Sequence, residues 1–146
     1  MMANYTLEKE FLKKVENNND KQNEREILNK DQIKNLLLKY PKLPQDYLIY
    51  LQELGSGSFR ECQFNIASSL FDLEDLGLNN YYELKSNVWF FGDNYSGDFS
   101  GFDFDKNDGN VVEFWHESGE LYYNNKPFQA YIREQMLMDE NGKDIL

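Results

Sequence analysis

The chain is poor in the residues from which many active sites are built. It has one cysteine, Cys62, and one histidine, His116, in 146 residues. A single cysteine excludes an intramolecular disulfide, and one cysteine with one histidine excludes the usual nitrogen–sulfur zinc site. Apolar runs are short, as in Val88–Phe91 and Leu36–Leu38. None approaches the roughly 20 apolar residues that a membrane-spanning helix needs. The segment from Met1 to Val15 is charged and has no continuous apolar stretch, so no signal peptide is expected. A cytoplasmic location is the expectation.

What is present suits one globular domain, on the prior of about 100–200 residues per domain. Leu, Ile, Val and Phe supply 39 residues, above the roughly one-fifth floor that marks disorder. A chain of this length builds a core without metals or disulfides. The net charge of −11 is unevenly spread. Residues 1–60 carry ten basic and nine acidic side chains, whereas residues 61–146 carry five and seventeen. So anionic a half repels phosphate backbones, which argues against direct nucleic-acid binding and suits a cationic partner. Solubility alone would also account for it.

The periodicity predicts an α+β fold: an antiparallel β-sheet meander with helices packed on one face, N-terminal helices and one C-terminal helix. Thr6 is the expected cap of a first helix with Leu7, Phe11 and Val15 on one side. The run Asn17–Asp20 breaks it, so the first twenty residues read as a loosely attached extension. A second helix starts near Asn29 or Asp31, carries Ile33, Leu36, Leu37 and Tyr40, and stops before Pro41. Pro44 opens a third, with Tyr47, Leu48, Leu51 and Leu54 inward and Gly55 at its end. The period then changes to two. Glu61–Ile66 reads as a strand, Leu70–Gly77 as a short helix, and 87–91, 99–104, 110–115 and 120–123 as strands. Asp108-Gly109 and Ser118-Gly119 are hairpin turns. Lys126-Pro127 opens the last helix. The boundaries expected are an N-terminal helical extension over 1–28, an α+β domain over 29–138 and a frayed tail over 139–146.

Catalytic chemistry finds little support. His116 sits beside a hairpin turn, far in sequence from Cys62, and a surface histidine is the simpler reading. Cys62 lies in an alternating stretch and is expected to be a buried structural thiol. Asp93, Asp98, Asp103, Asp105 and Asp108 fall near strand ends, where oxygens could hold a hard cation. A calcium loop started at Asp103, however, places Asp108 and Phe114 where Gly and an acid are required. Turn chemistry explains these acids equally well. Nothing singles out a glycosidase pair, and Gly92, Gly97 and Gly101 do not spell a phosphate loop. No enzyme, metal or cofactor is expected. The aromatic residues Tyr81, Tyr82, Trp89, Tyr95, Trp115, Tyr122 and Tyr123 are many for one stretch. Those pointing outward beside acids would make a protein-binding surface.

Three segments then become recognisable: LPQDYLIYLQELGSG from Leu43 to Gly57, FFGDNYSGDFSGFDF from Phe90 to Phe104, and the closing stretch Val111 to Leu137. Together they resemble the SUKH superfamily, the domain shared with the fungal Smi/Knr cell-wall-assembly regulators. The resemblance covers roughly Asp31 to Leu137. It implies helices on an antiparallel sheet, and Leu43, Pro44, Tyr47, Gly55, Gly92 and Gly97 as its structural signature. It also implies an immunity protein that neutralises a cognate toxin domain, many such toxins being nucleases. An acidic, aromatic-bearing face suits a cationic nuclease site, because it mimics the polyanion held there. Asp93, Tyr95, Asp98, Asp103, Asp105, Asp108, Glu113, Trp115 and Glu117 are the expected partner-binding residues. The alternative is a non-enzymatic scaffold or regulatory module of the Smi/Knr type. A monomer and a homodimer are both compatible with the sequence, since an edge strand can pair with a second copy.

Overall fold

In the computed structural model, which describes residues 3–106 and 108–146, seven strands form one antiparallel sheet in chain order. They are β1 (Arg25–Glu26), β2 (Ser56–Phe59), β3 (Phe64–Phe71), β4 (Val88–Asp93), β5 (Phe99–Asp103), β6 (Asn110–Trp115) and β7 (Glu120–Pro127). The helices are α1 (Thr6–Val15), α2 (Lys30–Lys39), α3 (Gln45–Glu53) and α4 (Phe128–Gln135). The expected α+β meander is therefore present, with more strands than the periodicity revealed.

Local chemistry explains the helix ends. Asn29 and Gln32 form a reciprocal capping box that starts α2. Pro41 stops that helix at Tyr40, since proline disfavours helical geometry in the residue before it. Pro44 precedes α3, and Gly55 follows it at a φ of +92°. Asp46 in the first turn of α3 also accepts from the Gln129 backbone N–H at 3.0 Å. One carboxylate thus serves the positive ends of two helices, and α4, which Pro127 begins without a side-chain cap, gains its acceptor. Thr6 is not the cap of α1. It lies inside the helix, and Asn4 accepts its N–H instead, at 2.8 Å.

The helix-bearing face of the sheet holds the larger core. Phe11, Leu36, Leu51 and Ile132 from the four helices join Phe64, Phe91 and Phe102 from the strands. The phenyl ring of Phe91 lies 5.0 Å from that of Phe128 and 5.1 Å from that of Phe102. Such aromatic pairs add to the free energy of simple area burial. The opposite face packs Val88, Phe90, Val112 and Phe114 under Leu73 and the half-buried Leu78, Tyr82 and Leu84. Those covering side chains come from the 72–87 connection. It is the segment expected to begin as a helix, and it forms turns instead. Asp72 and Asp75 accept each other's backbone N–H groups, and Gly77 at φ +71° ends the structure after about one turn.

A second expectation fails at Glu61–Ile66. Only Phe64 onward is strand, and Arg60, Glu61 and Cys62 form a left-handed turn with φ values of 48°, 52° and 68°. Cys62 is accordingly half-buried in a turn rather than sealed in the core. The Gly- and Ser-rich β2 carries no local strand signal, because it lacks most of the side chains that mark strands.

The first helix is no loose appendage. Tyr5, Phe11 and Leu12 are buried in the main core, and Glu8 is fully buried with Arg133 as its ion-pair partner. Arg25 grips Glu16 with two hydrogen bonds of 2.8 Å, and Arg60 grips Asp144 at 3.0 and 3.2 Å. All three arginines of the chain thus pair with carboxylates in the first sixteen or last three residues. The final residues are further tied by a bridge between Met138 and Asp144.

Candidate functional site

Three turns gather at one end of the sheet: Arg60–Gln63, Asn94–Asp98 and His116–Gly119. The first is held from outside. Glu16 accepts the Arg60 N–H at 2.8 Å, and Asn23 accepts the Glu61 N–H at 2.8 Å. The Arg60 guanidinium also reaches the Met136 carbonyl at 3.0 Å. In the second turn Asp93 accepts the Tyr95 N–H at 3.1 Å, and Asn94 accepts the Ser96 N–H at 2.9 Å. The Tyr95 hydroxyl meets the Ser58 hydroxyl and lies against Cys62. Partial burial, with Cys62 and Asp93 nearby, raises its pKa despite the Ser58 bond.

The third turn is clasped to the second. Asp98 accepts from the His116 backbone at 3.1 Å and pairs with His116 Nδ1 at 2.7 Å. Burial opposes ionisation of Asp98, but the His116 bonds outweigh it and hold the carboxyl below its ordinary value. A Cβ on Gly97 would lie 3.1 Å from the His116 ring, at a φ of +94° that side chains rarely adopt. On Gly92, in β4, a Cβ would fall 2.1 Å from the Asn65 carbonyl oxygen. Both glycines therefore let backbones and rings approach closely, which is a structural role.

On the helix-bearing face at this end, the rings of Trp115 and Tyr122 stack 5.1 Å apart at 19°. Trp115 is 43 % exposed and Tyr122 47 %. They come from β6 and β7 and meet across the Ser118-Gly119 turn. A cavity of about 230 Å³ beside them is lined by Asp98, Trp115, Glu117 and Ser118. Glu113, two residues before Trp115 on the same face, accepts from the Tyr131 hydroxyl at 2.7 Å. That hydroxyl also shares a 2.5 Å bond with Ser100. Burial and the Glu113 contact raise the Tyr131 pKa beyond the range in which it titrates usefully.

The nine residues expected to form one partner-binding face are divided by the fold. Asp93, Tyr95, Asp98, Trp115 and Glu117 share the end just described, with Glu113 close behind on β6. Asp103, Asp105 and Asp108 lie at the opposite end, across the five residues of β5, a span of about 17 Å. A meander puts successive turns at alternate ends, so acids ten residues apart must separate. Most of these acids are also engaged. Asp103 is 5 % exposed and accepts from the Tyr123 hydroxyl at 2.8 Å. Asp105 and Asp108 accept backbone N–H groups of Asn87 and Asn110, both at 3.0 Å. Glu117 is exposed in the turn beside Trp115. Tyr122, which the expected site omitted, is the partner that fixes Trp115. The signal was its position across a recognisable hairpin turn. Among the described residues, no group of three or more His, Cys, Asp or Glu is placed to hold a metal ion.

The SMI1 / KNR4 family (SUKH-1) matches residues 27–134. The chain belongs to this family. The SUKH-1 match takes in every strand from β2 to β7 together with α2 and α3, and reaches into α4. Leu43, Tyr47, Gly55, Gly92 and Gly97 all fall inside it, and Leu43 and Tyr47 are buried in the main core. Pro44, also inside, precedes α3 at a φ of −66°. Membership makes this a domain of the immunity or Smi/Knr type. No curated protein and no solved structure matches the chain. No helix among the described residues is long and apolar enough to cross a membrane.

Proposed function

We propose that the protein is an immunity protein that binds and neutralises a cognate toxin domain, without chemistry of its own. The observation that carries the reading is the stacked, half-exposed Trp115–Tyr122 pair beside Asp98 and Glu117. Two rings fixed against each other lose little side-chain freedom on binding, and aromatic residues supply most interface hot spots. Carboxylates at the rim steer a cationic partner and speed its encounter. Glu120, opposite Trp115 in the hairpin, adds to that field. A nuclease active site has the matching charge, because it is built to hold a polyanion. The SUKH-1 family supports the class of partner.

The test is to co-express the chain with the protein encoded beside its gene and to measure the complex at low and high salt. A tight complex that weakens as salt rises is expected. Trp115→Ala or Tyr122→Ala should weaken it by about 2 kcal/mol or more, roughly 30-fold. A complex indifferent to both variants, or a neighbour that is no toxin, would overturn the reading.

A further inference from the structure

At the opposite end of the sheet from Trp115 lies a groove of about 340 Å³ with a different character. Its walls are Tyr40, Pro41, Trp89 and Phe104. The Tyr40 ring stands 5.1 Å from the Trp89 ring and 6.2 Å from the Phe104 ring. The Trp89 indole N–H is already used, donating to the Asn87 side chain at 3.1 Å, so the ring presents an apolar face. The charged residues lining this groove are Lys39 and Lys42. Four other surface cavities each carry at least one carboxylate in their walls. In a chain of net charge −11 this cationic rim is a local reversal. Neither lysine is in an ion pair among the described residues.

The rim is also positioned. Lys42 Nζ donates to the Phe104 carbonyl at 3.2 Å, which ties the α2–α3 connection to the turn after β5. Lys39 Nζ lies 5.4 Å from the centre of the Tyr40 ring, in cation–π contact. Asp105, next to Phe104, uses its carboxylate on the Asn87 N–H. Two fixed ammonium groups flank an aromatic slot of the size that takes small groups, about 300 Å³ and upward.

We infer that this groove is a second docking site, for an extended segment of a partner protein in which an apolar side chain sits beside carboxylates. The apolar side chain packs on the groove surface formed by Trp89, Tyr40, Pro41 and Phe104, and the carboxylates meet Lys39 and Lys42. Charge complementarity selects this occupant: a cationic segment of the kind suited to the Trp115 end is repelled here. The site does not rest on the toxin-binding reading, since it shares no residue with that surface.

The experiment uses the full chain carrying Trp115→Phe, which leaves Trp89 as its one tryptophan. The probe is a blocked five-residue peptide with leucine between two glutamates. Saturable change in Trp89 emission is expected. Replacing the glutamates with glutamines should weaken binding at least five-fold, and replacing the leucine with alanine at least ten-fold. Lys39 and Lys42 are exposed, so the double variant Lys39→Glu, Lys42→Glu should stay folded by circular dichroism and lose the response. No response at millimolar peptide, equal binding of the glutamine peptide, or tighter binding of a lysine-flanked one would each overturn the proposal. So would concentration-dependent burial of Trp89 without peptide, which would assign the groove to a second copy of the chain.

Discussion

The two ends of the sheet solve different problems. At the end formed by the turns after β2, β4 and β6, carboxylates are fasteners. Glu16, Asp93 and Asp98 each hold turn backbone, and both termini are drawn in through Arg25 and Arg60. At the other end, lysines frame an aromatic slot. The contrast teaches that net charge describes neither end. Many acids that make the chain anionic are spent on local geometry, and the groove has the opposite sign from the chain as a whole. What a partner meets is the residue left over after the fold has taken what it needs.

If the turn after β2 depends on its outside supports, the largest effect should come from Glu16→Ala. Its side chain is 6 % exposed and holds both Arg25 and the Arg60 N–H. Removing it strands a largely buried guanidinium, a loss of about 3–5 kcal/mol. Urea unfolding would measure it, and a loss under about 1 kcal/mol would show that the left-handed turn supports itself. Next comes Gly92→Ala, whose Cβ would overlap the Asn65 carbonyl. Overpacking of this kind costs about 1–3 kcal/mol, and a neutral variant would mean that β3 and β4 part easily there. At the groove end Lys42→Ala removes one hydrogen bond to the Phe104 carbonyl. A typical net contribution is about 1 kcal/mol, so the same urea experiment should rank it well below Glu16→Ala.

The helices and hairpins were legible because each had a local signature. Asn29 with Gln32, Pro41, Pro44 and the turn pairs Asp108-Gly109 and Ser118-Gly119 mark boundaries on their own. The turn at Arg60–Cys62 was not legible, because its conformation is imposed by Glu16, Asn23 and Asp144, residues distant in the chain. Leu70, Leu73 and Leu76 recur every third residue, as on a helix, yet Leu73 and Leu78 instead help cover the second face, where tertiary packing overrides periodicity. The candidate site was legible in composition but not in place. Trp115 and Glu117 were expected among the partner-binding residues, but the face they share was not encoded in any local pattern. The separation of Asp93 from Asp108 follows from strand alternation, and the groove follows from a contact between Tyr40 and Trp89, 49 positions apart, that no local pattern encodes.

The smallest effect concerns the clasp between the second and third turns. Asp98 is held below its ordinary carboxyl value, chiefly by His116 against the opposing effect of burial. A depressed carboxyl stabilises the fold at pH above its unfolded value, about 3.9. That contribution fades as pH falls through the lower folded value. In Asp98→Asn the loss should already be present at neutral pH, and stability should fall less steeply below about pH 4 than in the parent. Because Asp98 is about one-third exposed, solvent screens the pair and the difference should be small. Thermal unfolding of both proteins between pH 2.5 and 6 reads it directly. Parallel curves would mean that the His116 contact holds two turns together without contributing net stability, and that the fastening at this end of the sheet rests on Glu16 and the arginines alone.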